Sequence, residues 1–248
     1  MTRIAMFDFS PVSEDFQKVM IKEIVEENVY EKFFGIPKDG IVVDIGANVG
    51  LFTYSITPDK VKHVYCIEPE GECFNVLKKN LQEFNNITFI NKAITHETGK
   101  SIVKGLYIKE DGRLYSNNIK KEEAETITFK AFIKENDITT IDFLKCDCEG
   151  GEYDIFTEDN REWLLNNVKK VASEFHLADV YDRRGFLIFR ELFLLPEYNY
   201  KAIDLDGNDI TDKLYDDDYL HMWDDTTFEK GTVNNILSFN LYLEFDLE

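Results

Sequence analysis

The chain is 248 residues long, 44% hydrophobic and 14% aromatic, enough apolar material for a sizeable α/β core and too much for a disordered chain. Its 28 Lys and Arg face 48 Asp and Glu, and the resulting net charge of −20 repels phosphate backbones and argues against nucleic acid as a partner. Half of that charge lies in Lys201–Glu248, where 13 acids and 3 bases leave −10; a solvated acidic surface is the plain reading, and a site for cations or a basic partner the sharper one.

Met1–Phe16 carries charges and no basic segment followed by an apolar run, so no secretory leader is expected. No stretch approaches the roughly 20 apolar residues of a membrane span, and the expectation is a cytoplasmic protein with no membrane partner. Without a secretory leader, Cys66, Cys73, Cys146 and Cys148 are expected as reduced thiols rather than a disulfide framework, with zinc as the alternative. Oligomeric state has no signature in this sequence.

The first 40 residues read as a helical segment, with Phe16, Val19, Met20, Ile24 and Val25 at helical spacing over Glu14–Glu27. Ile41–Ile45 is a strand broken by Gly46, Leu51–Ser55 opens a helix, Val61–Ile67 is a second strand, Glu72–Phe84 a helix and Ile87–Ile90 a third strand. Residues 93–132 differ: Ser101–Ile108 and Glu125–Phe132 read as strands flanking the polar Lys109–Glu123, an inserted hairpin. Alternation then resumes with strand Phe143–Asp147, helix Tyr153–Asn166, strand Lys170–His176, helix Arg184–Leu195 and strand Tyr198–Leu205. A final strand, Ile236–Phe245, closes the acidic segment 201–248. One α/β domain, with a mostly parallel sheet covered by helices on both faces, is the simplest account.

A strand ending in a glycine-rich turn that opens a helix is where α/β sheets bind nucleotides. The turn at Val42–Gly50, VVDIGANVG, lacks the Lys-Ser/Thr of a P-loop, and Asn48 and Leu51 stand where G-x-G-x-x-G needs glycines. What stands is D-x-G-x-N-x-G, which suits a ligand without phosphate, such as the sulfonium cofactor S-adenosylmethionine. Asp44 would serve its cationic end directly or through water, Gly46 and Gly50 would allow close approach, and Asn48 offers both a donor and an acceptor. Glu68, 24 residues after Asp44 at the end of the second strand, is placed to accept two ribose hydroxyls; a surface acid before Pro69 is the plain alternative.

These segments, with CIEPE at Cys66–Glu70 and LKCDCEGGEYDIF at Leu144–Phe156, resemble the FkbM-type methyltransferases across roughly Ile41–His176. The family uses S-adenosylmethionine and is best known for O-methylation. The resemblance implies a Rossmann-like doubly wound sheet of seven mostly parallel strands of methyltransferase type. It implies a cofactor site that also takes in Ala47, Pro69, Ala93 and Asp147, with Tyr30 on the cofactor side. It further implies an acceptor hydroxyl on a sugar, glycan or other small polar metabolite. Cys146, Cys148 and Gly151 depart from the family's usual apolar residue, Val or Leu, and Ala.

In such sheets the site lies beyond the carboxyl ends of the strands. Asp147 and Glu149 would share one face of an extended chain there, as would Glu174 and His176. Methyl transfer needs alignment and a base for the hydroxyl proton. His176 is the natural base by its ordinary pKa, with Asp147, Glu149 and Glu174 beside it. The plain alternatives are a structurally bonded histidine and helix-capping acids. The same four residues could instead hold Mg²⁺ or Mn²⁺, with Asp216–Asp218 and Asp224–Asp225 as weaker metal candidates. Phe7, Phe9, Tyr30, Tyr115, Tyr181, Tyr219 and Trp223 are aromatic candidates for an acceptor pocket. A nicotinamide-dependent oxidoreductase and a non-catalytic scaffold on the same fold remain the competing functions.

Overall fold

The computed structural model describes residues 6–56, 60–105, 120–177, 180–222 and 238–245; in 102–105 and 120–122 only the backbone is described. In chain order the elements are α1 (Glu14–Met20), β1 (Ile41–Ile45), α2 (Leu51–Ser55), β2 (His63–Ile67), α3 (Gly71–Asn80), β3 (Ile87–Ile90), β4 (Ala93–Ile94), β5 (Gly99–Gly105) and β6 (Lys120–Ile127). They continue with α4 (Phe129–Glu135), β7 (Phe143–Cys146), α5 (Glu152–Ile155), α6 (Glu158–Asn167), β8 (Lys170–His176), α7 (Val180–Phe193), β9 (Asn199–Asp204) and β10 (Ser238–Glu244).

Seven strands form one sheet in the order β3-β2-β1-β7-β8-β10-β9, with only β10 antiparallel to its neighbours. The strand order reverses between β1 and β7, and that reversal opens a crevice at the carboxyl ends of the two strands. Helices cover both faces. Val43 and Ile45 point into one apolar cluster with Phe129, Phe156 and Phe175, whereas Val42 points into the other with Phe52 and Leu77. A strand buried on both faces reads as a nearly continuous apolar run, which is why β1 and β7 are so legible. No helix among the described residues is long and apolar enough to cross a membrane.

Several expected boundaries move. The strand expected over Glu125–Phe132 stops at Ile127, and its second half is α4. Thr128 caps that helix by accepting a hydrogen bond from the Ala131 N–H, and Phe129, Phe132 and Ile133 have helical spacing. The inserted hairpin β5–β6 is joined by β4, which pairs parallel to β6, so the insertion is a three-stranded sheet. The single helix expected over Tyr153–Asn166 is two, because Thr157 caps a new start at Glu158 and Asn160 Nδ2 donates to the Ile155 carbonyl. The helix expected over Glu14–Glu27 changes at Ile21 into a π-helical turn, Ile21–Glu26.

Candidate active site

β1 and β7 are parallel neighbours whose register sets Asp44 beside Lys145, and β2 sets Cys66 on the other side of Asp44. Asp44 is fully buried. Its Oδ2 accepts from Thr53 Oγ1 at 2.8 Å, and its Oδ1 lies 3.3 Å from Lys145 Nζ. Both oxygens of this carboxylate thus face other side chains within the sheet. Lys145 carries the connection onward. Its ammonium donates to the Gly46 carbonyl at 2.7 Å and lies 3.9 Å from Asp147 Oδ2. Burial alone would lower the lysine's pKa, but Asp44 and Asp147 outweigh it and hold the amine above its ordinary value. Tyr30 completes the group, donating from its hydroxyl to Asp147 Oδ2 at 2.7 Å, with Lys145 Nζ 5.3 Å from its ring centre. Burial, and then Asp147, raise the Tyr30 phenol well above its usual value.

The glycines of the turn are required by packing as much as by any ligand. At Gly46 (φ 75°) a Cβ would stand 1.7 Å from the Asp147 carbonyl oxygen, and at Gly50 (φ 89°) 2.6 Å from Leu77 Cδ1. Between them Asn48 is left-handed (φ 50°) and its side chain accepts from the Val49 N–H, while the Ala47 N–H donates to the Ile67 carbonyl. Glu68 sits across the turn. Its Oε2 accepts from the Asn48 N–H and its Oε1 from the Glu70 N–H, both at 2.8 Å. Burial pushes Glu68 up to about 7 despite those two bonds. Asn91 holds the Glu68 and Pro69 carbonyls, and Ala93 is buried at the start of β4.

The second group gathers at the ends of β7 and β8. β7 ends at Cys146, so Asp147 and Glu149 do not meet by strand alternation as expected; Glu149 is left-handed (φ 57°) in the turn that follows. On β8, Glu174 and His176 do share a face, with Glu174 Oε1 3.7 Å from His176 Nε2. Glu149 Oε2 lies 3.2 Å from the same nitrogen. The other ring nitrogen, Nδ1, is 3.1 Å from Oε1 of Glu152, which is fully buried and also accepts from the Cys148 and Gly150 N–H groups.

Burial opposes a charge on His176, but Glu152, Glu149 and Glu174 outweigh it and hold the imidazole well above its usual value. Burial, and beyond it the Asp147 charge, raise Glu174, and burial raises Glu149 to about 8 even though His176 pulls it down. Glu23, on the π-helical turn, is pushed up to about 7 by burial and then by Glu174 and Asp147, so the N-terminal segment adds a fifth carboxylate to this neighbourhood.

Sequence reasoning passed over Lys145, Thr53, Glu152 and Glu23. Lys145 alone carried a usable signal, a charge inside the otherwise apolar strand FLKC, because lysines are almost never fully buried unless paired. The aromatic candidates do not converge. Phe7 and Phe9 pack on each other at 4.8 Å, Tyr181 is exposed, and Tyr219 packs against the core. Asp217 is bound to Arg190, and Asp216 Oδ1 accepts from the Tyr219 N–H. Tyr115, Trp223, Asp224 and Asp225 lie outside the described residues. No disulfide joins the four cysteines, and the Cys146 and Cys148 Sγ atoms are 3.6 Å apart.

The sheet order, the turn after β1 and the acid after β2 together define the α/β Rossmann-like methyltransferase fold. Residues 44–202 match the methyltransferase FkbM domain, and the chain belongs to that family of S-adenosylmethionine-dependent methyltransferases. The FkbM methyltransferase of Methylobacillus flagellatus KT superposes with a TM-score of 0.50 at 14% identity, covering 94% of this chain and 56% of that one. Methyltransferase sdnD of Sordaria araneosa is 23% identical over 204 residues, 67% of this chain and 77% of its own. Ribosomal RNA small subunit methyltransferase A of Clostridium botulinum is 37% identical over 76 residues, 31% of this chain; the match spans only 27% of that relative's length.

Proposed function

We propose that this chain transfers a methyl group from S-adenosylmethionine to a hydroxyl of a sugar, glycan or other small polar metabolite, by direct displacement. The observation that carries the reading is that two groups flank the strand-order reversal, one on either side. One is Glu68, fastened to the cofactor turn through the Asn48 N–H; the other is the Asp147, Glu149, Glu174 and His176 cluster on the next two strand ends. Glu68 retains lone pairs for the ribose hydroxyls after accepting its two N–H bonds. The turn Gly46–Gly50 and Pro69 border the cofactor, Ala93 its adenine side, and Tyr30 and Asp147 its cationic end, with Asp44 acting through Lys145.

On the acceptor side a carboxylate takes the proton. Glu174 is the candidate base, since burial raises its carboxyl toward the range where general bases work. A net charge of −20 favours a neutral or cationic acceptor over an RNA, whatever the ribosomal relatives act on. Family membership removes the ground for a nicotinamide cofactor. Incubation with methyl-labelled S-adenosylmethionine and a panel of hydroxylated metabolites, glycans and structured RNA tests the reading. Label in a hydroxylated small acceptor is expected; label only in RNA contradicts the acceptor class, and silence across the panel favours a non-catalytic scaffold.

A further inference from the structure

We propose that Asp147, Glu149 and His176 form a binding site for one divalent cation of the manganese type. One ligand atom from each lies within 4.8 Å of the others, and they are the group so arranged among the described residues. Oxygen and nitrogen ligands about 2.1 Å from one ion stand at most about 4.2 Å apart, so a small movement of these side chains closes the site.

Three features distinguish this from a chance gathering of acids. First, His176 is presented as a metal ligand is. Its Nδ1 faces Glu152, Glu152 is locked by two backbone N–H groups, and Nε2 is thereby turned toward Glu149 and Glu174. Second, carboxyl groups outnumber cations here: Glu149, Glu152 and Glu174 face His176, Asp147 stands beside them, and Lys145 is shared with the buried Asp44. Third, Ser238 pairs across the sheet with His176, on the same face, and its buried hydroxyl lies beside Glu174. An ion's water or an acceptor oxygen would find a further hydroxyl there.

The ion's role, though not its existence, rests on the methyl-transfer reading. Three protein ligands leave positions open for the acceptor oxygen. The bound hydroxyl, acidified by the cation, gives its proton to the Glu174 carboxylate. Its oxygen pair then forms the bond to the methyl carbon, and the carbon–sulfur pair leaves with sulfur as S-adenosylhomocysteine. Nitrogen beside carboxylate favours Mn²⁺ over an all-oxygen ion.

The test titrates Mn²⁺ alone into chelator-stripped protein and follows the free ion by electron paramagnetic resonance, with S-adenosylhomocysteine titrated separately. Expected are one Mn²⁺ per chain in the wild type and at least about tenfold weaker binding in Glu149→Gln and in His176→Gln. Glu149 sits in a turn with 33% of its side chain exposed, so its variant keeps the test open if the buried His176 change unfolds the protein; thermal melting checks both. No stoichiometric binding, or equal binding by Glu149→Gln, overturns the site and leaves an ion-paired histidine only. Binding of S-adenosylhomocysteine without Mn²⁺ sinks the cation and spares the proposed function; Mn²⁺ bound without S-adenosylhomocysteine supports the cation and sinks the cofactor reading.

Discussion

Lys145 is where fold and function meet in a single side chain. It neutralises Asp44 in the sheet, holds the Gly46 carbonyl and reaches Asp147, so the turn after β1 and the end of β7 share one buried ammonium. Removing one partner of a buried pair leaves the other charge without compensation. Lys145→Met is expected to cost about 3–5 kcal/mol, read by urea unfolding; a loss below about 1 kcal/mol would mean that Asp44 is not held by this amine. Glu68 makes a pH prediction. Its carboxylate must be ionised to accept two ribose hydroxyls, and burial has raised it to about 7. Affinity for S-adenosylhomocysteine should therefore weaken as pH falls below about 7, and Glu68→Gln should flatten that dependence. Calorimetry across pH 5.5–8 checks it, and a wild-type profile already flat across that range would remove the role.

At the scale of elements, the turn after β1 is shaped by the close approach of β1 and β7 at their carboxyl ends. Gly46→Ala would drive a Cβ into the Asp147 carbonyl, and the strand ends must separate to admit it. The variant is expected to lose S-adenosylhomocysteine binding and much stability together. Thr128→Ala, by contrast, removes only the cap of α4 and should cost about 1 kcal/mol in thermal unfolding with cofactor affinity unchanged.

The two sites also differ in how far sequence could reach. The runs of β1, β7 and β8, the turn after β1 and Glu68 were legible because doubly buried strands and glycine turns leave local patterns. The Asp44–Lys145 pair was not, because register between strands a hundred residues apart is a tertiary fact. Glu152 and Glu23 were hidden for the same reason: one looks like a first-turn acid and the other like a helix-surface acid until the chain folds. α4 was misread because Glu125–Phe132 passes from strand to helix at a threonine whose capping role lies in its hydrogen bond, not its propensity.

Over the whole molecule, net charge and crowded carboxylates act in the same direction. Glu23 and Glu68 both sit near 7 in the fold against about 4.5 unfolded, so the folded state holds more protons between those values. Stability is then greatest toward the low end of that window and falls as pH rises through it. The free protein should melt at a higher temperature near pH 5 than near pH 8, and a melting temperature that climbs with pH over this range would contradict the burial of these acids. Added Mn²⁺ should recover part of the loss at the higher pH.

The central claim is that the turn after β1 and Glu68 together bind the adenosyl cofactor. The most direct measurement is calorimetric titration of S-adenosylhomocysteine into the wild type and Glu68→Ala at neutral pH. We predict one site per chain in the wild type and at least about tenfold weaker binding in the variant, with its melting profile retained; equal affinity in the two proteins, or no binding by the wild type, would contradict it.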